Sequence, residues 1–454
     1  MRRSFALCLF ATLLNAAFNA SAVSQDHHAT ADSVKAEFLH AWNAYKQYAW
    51  GHDALKPLSK QPHDWYRTSL YMTPVDAYDV MLLMGLSKEA AETKQLILDS
   101  LSFNKNIEVQ AFEITIRLLG GLLSAYQLDR DPSSARFLTL AEDLGKRLLP
   151  MYNTRTGMPY RYVNLQTGKI RDSLNNPAEI GTALLEFGTL SKLTGNPVYY
   201  EKAKNALVQL YNRRSKIGLV GTWINVETGE WTDRTSHIGG AIDSYYEYLI
   251  KAWLLFGDED CKTMWNESIK AINTYVADST HGGLWYGQVD METGKRTGTL
   301  FGSLEAFFPA VLCLAGDVER ARMLQESCYR MWNLHGVEPE EIDYAAMRAK
   351  DKRYYLRPEI IESAYYLHHF TGDPKYLKMG ETFFNSIVKY CRTDAGYAYL
   401  KDVTTKQQAD GMESFFFAET LKYLYLLFAP KETLPFEGVV FTTEAHPIRK
   451  TWKD

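Results

Sequence analysis

The chain has 454 residues, with 54 acidic against 50 basic side chains and a formal net charge of −4. Acids and bases are mixed and no basic patch stands out, so nucleic acid is excluded as an expected partner. Five widely spaced cysteines exclude a dense disulfide framework and fit no zinc spacing. Aromatic content is 13%, with 29 tyrosines and 10 tryptophans; such rings suit stacking on sugars, but a large aromatic core is their commoner use.

At the N-terminus, Arg2 and Arg3 precede an apolar run, Phe5–Leu14, and Ala20-Ser21-Ala22 gives an A-x-A cleavage site. The run is too short to cross a bilayer, and no later segment is long and apolar enough, so no membrane span is expected. Residues 1–22 therefore read as a cleaved signal peptide and residues 23–33 as a polar, disordered segment. Export to a periplasm or the exterior is the expected localisation. Residues 34–452 read as one domain.

From Val34 to Tyr48 apolar positions recur at helical spacing, followed by a polar loop with His63, Asp64 and Trp65. Pro74–Gly85 then opens a first unit, with Asp76 and Asp79 near a helix start, and Ser87 is placed to cap a second helix. The next stretch, FEITIRLLGGLLSAY at 112–126, sets the pattern for the rest. Glu113 starts an apolar helix and Arg117 lies at i+4, on the same face. Acids near the starts of apolar helices return at Glu179, Asp243, Glu305, Glu359 with Glu362, and Glu413. Most of these helices end in a Gly-Asp or Gly-Asn turn, as at Gly195-Asn196, Gly257-Asp258, Gly316-Asp317 and Gly372-Asp373. A polar outer helix follows each time.

Between units lies VNLQTGK (163–169), INVETGE (224–230), QVDMETGK (288–295) or KDVTTKQ (401–407), which read as β-hairpins. A hairpin is missing near 340–350, where the chain is charged and irregular. Units recur about every sixty residues, and seven inner helices follow from Asp76 onward. The predicted fold class is all-α: a closed (αα)7 barrel, with short β-hairpins at one end. After the last helix, residues 437–441 read as a strand leading into TTEAHP (442–447), a candidate plug for the closed end.

One acid at a helix start needs no function, because it complements the helix dipole. Pro177 before Glu179 and Pro358 before Glu359 fit that reading. Recurrence on successive units, however, brings these acids to one mouth. Facing carboxylates suit glycosidic bond cleavage, which needs a protonated acid and an ionised base or nucleophile. They also suit a divalent cation held by oxygen. No Ser-His-Asp order, H-E-x-x-H, P-loop or G-x-G-x-x-G occurs.

At FEITIRLLGGLLSAY the chain resembles glycoside hydrolase family 47, the class I α-mannosidases. DSYYEYLIKAW (243–253), LRPEIIESAYYLHHFTGD (356–373), MESFFFAETLKYLYLLF (412–428) and TTEAHP (442–447) extend the resemblance to roughly residues 35–450. It implies an (αα)7 barrel and an inverting, exo-acting α-1,2-mannosidase that uses Ca2+ and takes an α-mannose-containing oligosaccharide. Glu113 is the implied general acid, Glu359 the general base and Asp243 a third catalytic carboxylate. Arg117, Glu179, Arg357, Glu362, Glu413 and Glu444 match sugar- or calcium-shell positions, and Thr443 the direct calcium ligand. Cys328 matches one cysteine of a family disulfide whose other position is Ala306. Ala241 and Ser303 stand where many members carry arginine and histidine. The short chain and the signal sequence imply an exported bacterial member, expected to be a monomer. The alternatives are a mannose-binding barrel without turnover and a family member acting on another α-mannosidic linkage.

Overall fold

The computed structural model describes residues 29–450, so the signal-peptide reading lies outside the described residues. Seven inner helices form a ring: Met72–Leu83, 111–128, 177–194, Asp243–Phe256, 304–314, Glu359–Thr371 and 415–428. Six outer helices follow the first six of them: Ser87–Ser100, Ala135–Leu148, Val198–Tyr211, Glu259–Ala271, Val318–Asn333 and Lys375–Cys391. The seventh outer helix is N-terminal, at 29–49. Phe38 and Trp42 on this helix pack edge-on against Phe417 of the last inner helix, at 5.3 and 5.7 Å between ring centroids. The first inner helix packs against both the second and the last, which closes the ring. The (αα)7 barrel expected from the repeat is the fold observed. Residues 29–33, assigned above to a disordered segment, are instead the first turns of the N-terminal helix, where Ala31 is buried.

The Gly-Asp turns work as a paired stop and start. Gly257 (φ 72°) ends the fourth inner helix in the left-handed region, its N–H returning to Trp253 O. Asp258 then caps the next helix by accepting from Cys261 N at 3.0 Å.

The hairpins stitch neighbouring units together. Glu108–Gln110 pairs with Tyr162–Asn164, Leu174–Asn175 with Trp223–Asn225, Thr235–Ser236 with Gln288–Asp290, and Leu300–Gly302 with Glu341–Asp343. The last of these corrects the sequence reading. Glu341–Asp343 and Arg348–Asp351 form the hairpin that was expected to be missing. Its turn lacks Thr-Gly, and Met347 (φ 47°) takes the left-handed position that Gly168, Gly229 and Gly294 fill elsewhere. The shared determinant is an Asx turn. Asn164, Asn225, Asp290, Asp343 and Asp402 each accept two following backbone N–H groups through Oδ1. The loop around His63 also holds a hairpin that the sequence did not reveal, Ala54–Lys56 with Gln61–His63.

After the last inner helix, Val439–Phe441 and Pro447–Arg449 form an antiparallel hairpin. Phe441 packs on Tyr365 and Tyr423, in the later turns of two inner helices, so the hairpin enters from the end opposite the helix starts. Its tip, Thr442–His446, is raised inside the barrel, as the plug reading expected. The four described cysteines, Cys261, Cys313, Cys328 and Cys391, are free and buried. No helix among the described residues is long and apolar enough to cross a membrane.

Candidate active site

The helix starts and the hairpin tip enclose a cavity of about 420 Å3. Its walls carry eight carboxylic side chains and three arginines. Glu113 and Arg117 come from the second inner helix, which changes to a π-helical turn over Thr115–Leu119. Such turns widen the helix by one residue and recur at functional sites. The Arg117 guanidinium donates to Glu113 through Nε and Nη2, both at 3.0 Å, and through Nη1 to Glu444 at the hairpin tip. It lies 5.1 Å from the Trp65 ring and 5.8 Å from Phe415, so its plane is fixed by two rings and two carboxylates.

Across the cavity, Arg357 forks onto Glu340 at 2.9 to 3.3 Å. Glu359, two residues on, starts the sixth inner helix. Its Oε2 is buried with no protein partner. Burial pushes the carboxyl up to about 7, against the pull of Arg357. Asp243 begins the fourth inner helix and accepts from Ser244 N at 2.8 Å. It too is pushed up to about 7, chiefly by burial, with Ser244 N–H opposing and Glu247 adding to the rise. Glu362 accepts from the Tyr423 hydroxyl at 3.1 Å and is raised by burial, with Lys251 opposing. Glu444 is raised by burial, with Arg117 opposing. At the rim, Asn176 caps the third inner helix by accepting from Glu179 N, and its amide donates to the Glu179 carboxylate at 3.0 Å. Gln110 and Arg161 complete the Glu179 shell, and Arg161 lies 5.3 Å over Trp223.

Glu113, Arg117, Glu179, Asp243, Arg357, Glu359, Glu362, Thr443 and Glu444 all line the cavity. Glu413 does not. It precedes the last inner helix and accepts from Trp65 Nε1 at 3.0 Å, so it holds a ring that faces Arg117. Its place in the wall is taken by Glu419, inside the π-helical turn Phe416–Leu421. Burial, then the charges of Glu444 and Glu359, hold Glu419 well above the carboxylate range. Counting helix-start acids picks the first carboxylate of MESFFFAET, and the π turn brings in the second. Glu305 also falls outside the cavity, buried and accepting from Gly302 N at 3.0 Å, while Leu304 and Phe307 supply the wall there. Glu247, Arg161 and Trp223 are wall residues that the sequence did not single out.

The sequence family described as Glycosyl hydrolase family 47 matches residues 37–450. Alpha-mannosidase I MNS4 of Arabidopsis thaliana is 38% identical, over 98% of this chain and 75% of its own length. The chain belongs to glycosyl hydrolase family 47. ER degradation-enhancing alpha-mannosidase-like protein 2 of Homo sapiens is also 38% identical, over 92% of this chain and 77% of its own length. Among solved structures, the alpha-1,2-mannosidase from Trichoderma reesei superposes with a TM-score of 0.86 at 30% identity, covering 93% of this chain and 99% of that one. The family 47 chain is thus a glycoside hydrolase on an (αα)7 barrel.

No group of three or more His, Cys, Asp or Glu among the described residues could by itself hold a metal. The donors at the cavity floor are nonetheless all hard oxygens: Thr443, Glu362, Glu419 and Glu444, with the unpartnered Glu359 Oε2 nearby. Oxygen-only donors and surplus negative charge fit Ca2+, and do not fit a metal that prefers sulfur or imidazole.

Proposed function

We propose that this glycoside hydrolase is a calcium-dependent, inverting, exo-acting α-1,2-mannosidase that removes terminal α-mannose from oligosaccharides. The observation that carries the mechanism is the pair Asp243 and Glu359: two half-buried carboxyls lining one cavity, neither hydrogen-bonded to a cation, both pushed up to about 7 chiefly by loss of solvent. Such a pair supplies a proton donor and a proton acceptor at neutral pH. Glu359 is assigned as the base that takes a proton from the attacking water, with Arg357 favouring its ionised form. On the acid side, Asp243 can hold a proton to release. Glu113, oriented by Arg117, helps deliver it to the leaving oxygen. The hairpin tip closes the cavity floor, so the site accepts a chain end rather than a chain interior, which supports exo action.

Thr443 would hold the cation through its hydroxyl and carbonyl oxygens, with Glu362, Glu419 and Glu444 around it. When bound, Ca2+ supplies a hard positive charge for sugar hydroxyls and offsets the surplus of carboxylates. Linkage and substrate class rest on the relatives, two of which are named as α-mannosidases and one as an α-1,2-mannosidase. Export rests on Arg2, Arg3, the apolar run Phe5–Leu14 and Ala20-Ser21-Ala22. The chain is read as a monomer.

Proton NMR of α-1,2-mannobiose digestion tests this reading. Initial release of β-mannose, abolished by a chelator and restored by calcium, is expected. Release of α-mannose overturns inversion, and release that survives chelation overturns the calcium assignment. Binding without release selects a mannose-binding barrel instead.

A further inference from the structure

Of the hairpin tip Thr442–His446, only Thr443 and Glu444 line the cavity. The tip is closed on itself: Thr442 N donates to His446 O, and Ala445 N to Thr442 O, each at 3.0 Å. The barrel then holds it from four sides. Arg117 takes Glu444, and Lys422 Nζ donates to Ala445 O at 2.6 Å. His446 lies between Asp79, at 2.8 Å, and Asp76, at 3.3 Å. The fourth hold acts on Thr443 itself. Its backbone N–H donates to the Tyr248 hydroxyl oxygen at 3.1 Å, and that hydroxyl donates to Glu186 Oε1 at 2.6 Å.

Tyr248 and Glu186 have no solvent-accessible surface, and neither lines the cavity. Room for the relay comes from the second inner helix. A Cβ on Gly120 would stand 3.0 Å from the His446 ring and 3.7 Å from Glu186 Cγ. The hydrogen bonds have a direction. A phenol has one proton, and giving it to Glu186 leaves a lone pair aimed at the Thr443 amide. Without an acceptor at position 186 the hydroxyl is free to rotate and the hold on the amide is lost.

We propose that Tyr248 and Glu186 are positioning residues that fix the backbone of Thr443 and thereby set the affinity of the cavity for calcium. This rests on the reading of Thr443 as the direct calcium ligand. Outer groups that orient a ligand typically change metal affinity about tenfold or more when removed.

The test pairs calcium titration calorimetry with hydrogen–deuterium exchange of a peptide spanning 442–446. Both are run on the wild type, Tyr248→Phe, Glu186→Gln, Glu186→Leu and the control Tyr245→Phe, whose buried hydroxyl has no partner. Tyr248→Phe and Glu186→Leu are expected to bind calcium about tenfold more weakly and to exchange the tip faster even without calcium. Glu186→Gln keeps an acceptor and, like Tyr245→Phe, is expected to match the wild type in both. Unchanged tip exchange in Tyr248→Phe overturns the lock. Faster exchange with unchanged calcium affinity overturns its link to the metal. A wild type that binds no calcium overturns the Thr443 assignment and the metal link with it, while the exchange data still judge the lock. Should Glu186→Leu fail to fold, Tyr248→Phe and Glu186→Gln decide alone.

Discussion

Replacing Glu359 by glutamine keeps the side-chain shape and removes one ionisable group from a cavity that holds eight acids and three arginines. In the fold this carboxyl titrates at about 7, against an ordinary 4.5, mainly because burial disfavours its charge. The folded state therefore binds the proton more tightly than the unfolded chain does. Stability is untouched below about 4.5, falls as pH rises from there, and carries the full cost above about 7. A shift of that size corresponds to roughly 3 kcal/mol. Glu359→Gln is thus expected to be more stable than the wild type by about 3 kcal/mol at pH 8 in chelator, with no difference at acid pH. For a chain of this length that is a Tm rise of about 3 °C. The same variant should lose turnover by about 10²–10⁴-fold, the usual worth of a general base. Scanning calorimetry in acid and at pH 8, with mannobiose hydrolysis in parallel, checks both. A variant no more stable at pH 8, or one with near-normal turnover, refutes the reasoning.

Glu413→Gln is expected to keep kcat/KM within about threefold, whereas Glu419→Gln should lose about a hundredfold or more, since only Glu419 faces the cavity; equal losses in mannobiose kinetics would contradict the placement. Arg357→Lys breaks the fork onto Glu340 and should lower kcat by about 10–100-fold with far-UV circular dichroism unchanged; a wild-type rate would show that the fork is unnecessary. In Asp243→Asn the alkaline limb of kcat/KM, expected near the Asp243 titration at about 7, should vanish along with most of the rate; an unchanged limb would assign it elsewhere.

The barrel was legible because most units carry the same punctuation. Gly257 and Asp258 stop one helix and start the next by local backbone chemistry, so they signal the turn without any knowledge of packing. The hairpin at 341–351 carries no Thr-Gly, so that turn signature does not reveal it. The Asx side chain at Asp343 is the stronger determinant, and it was visible in line with Asn164, Asn225, Asp290 and Asp402. Glu413 was misplaced for a different reason. Helix-start reasoning assumes a regular 3.6-residue period, and the π turn Phe416–Leu421 breaks that period where Glu419 enters the cavity. Trp223 arrives at the rim on a hairpin strand and Arg161 on the residue just before one, so their meeting depends on how neighbouring units are stitched together. Tyr248 and Glu186 read as ordinary members of apolar helices, and only the tertiary approach of a hairpin 195 residues downstream gives them a task.

That hairpin joins the last part of the chain to the first inner helix, and its charges show why site and fold form together. Asp79 lies wholly inside the barrel, 2.8 Å from both Lys422 and His446, and accepts from Ser124 at 3.0 Å. Burial opposes its charge, but Lys422 and His446 outweigh burial and hold the carboxyl below its ordinary range. Burial likewise opposes the charge on His446, yet Asp79 and Asp76 raise it to about 9. Its pairing therefore stabilises the fold fully below the ordinary 6.5 and is lost as pH rises through about 9. Removing one partner from such a buried set leaves an uncompensated charge, at a cost of about 3–5 kcal/mol. A barrel that closed without its hairpin would leave Asp76, Asp79 and Arg117 short of partners and would also have no cavity floor. The ring of helices and the pocket it carries are therefore completed by the same five residues, Thr442–His446.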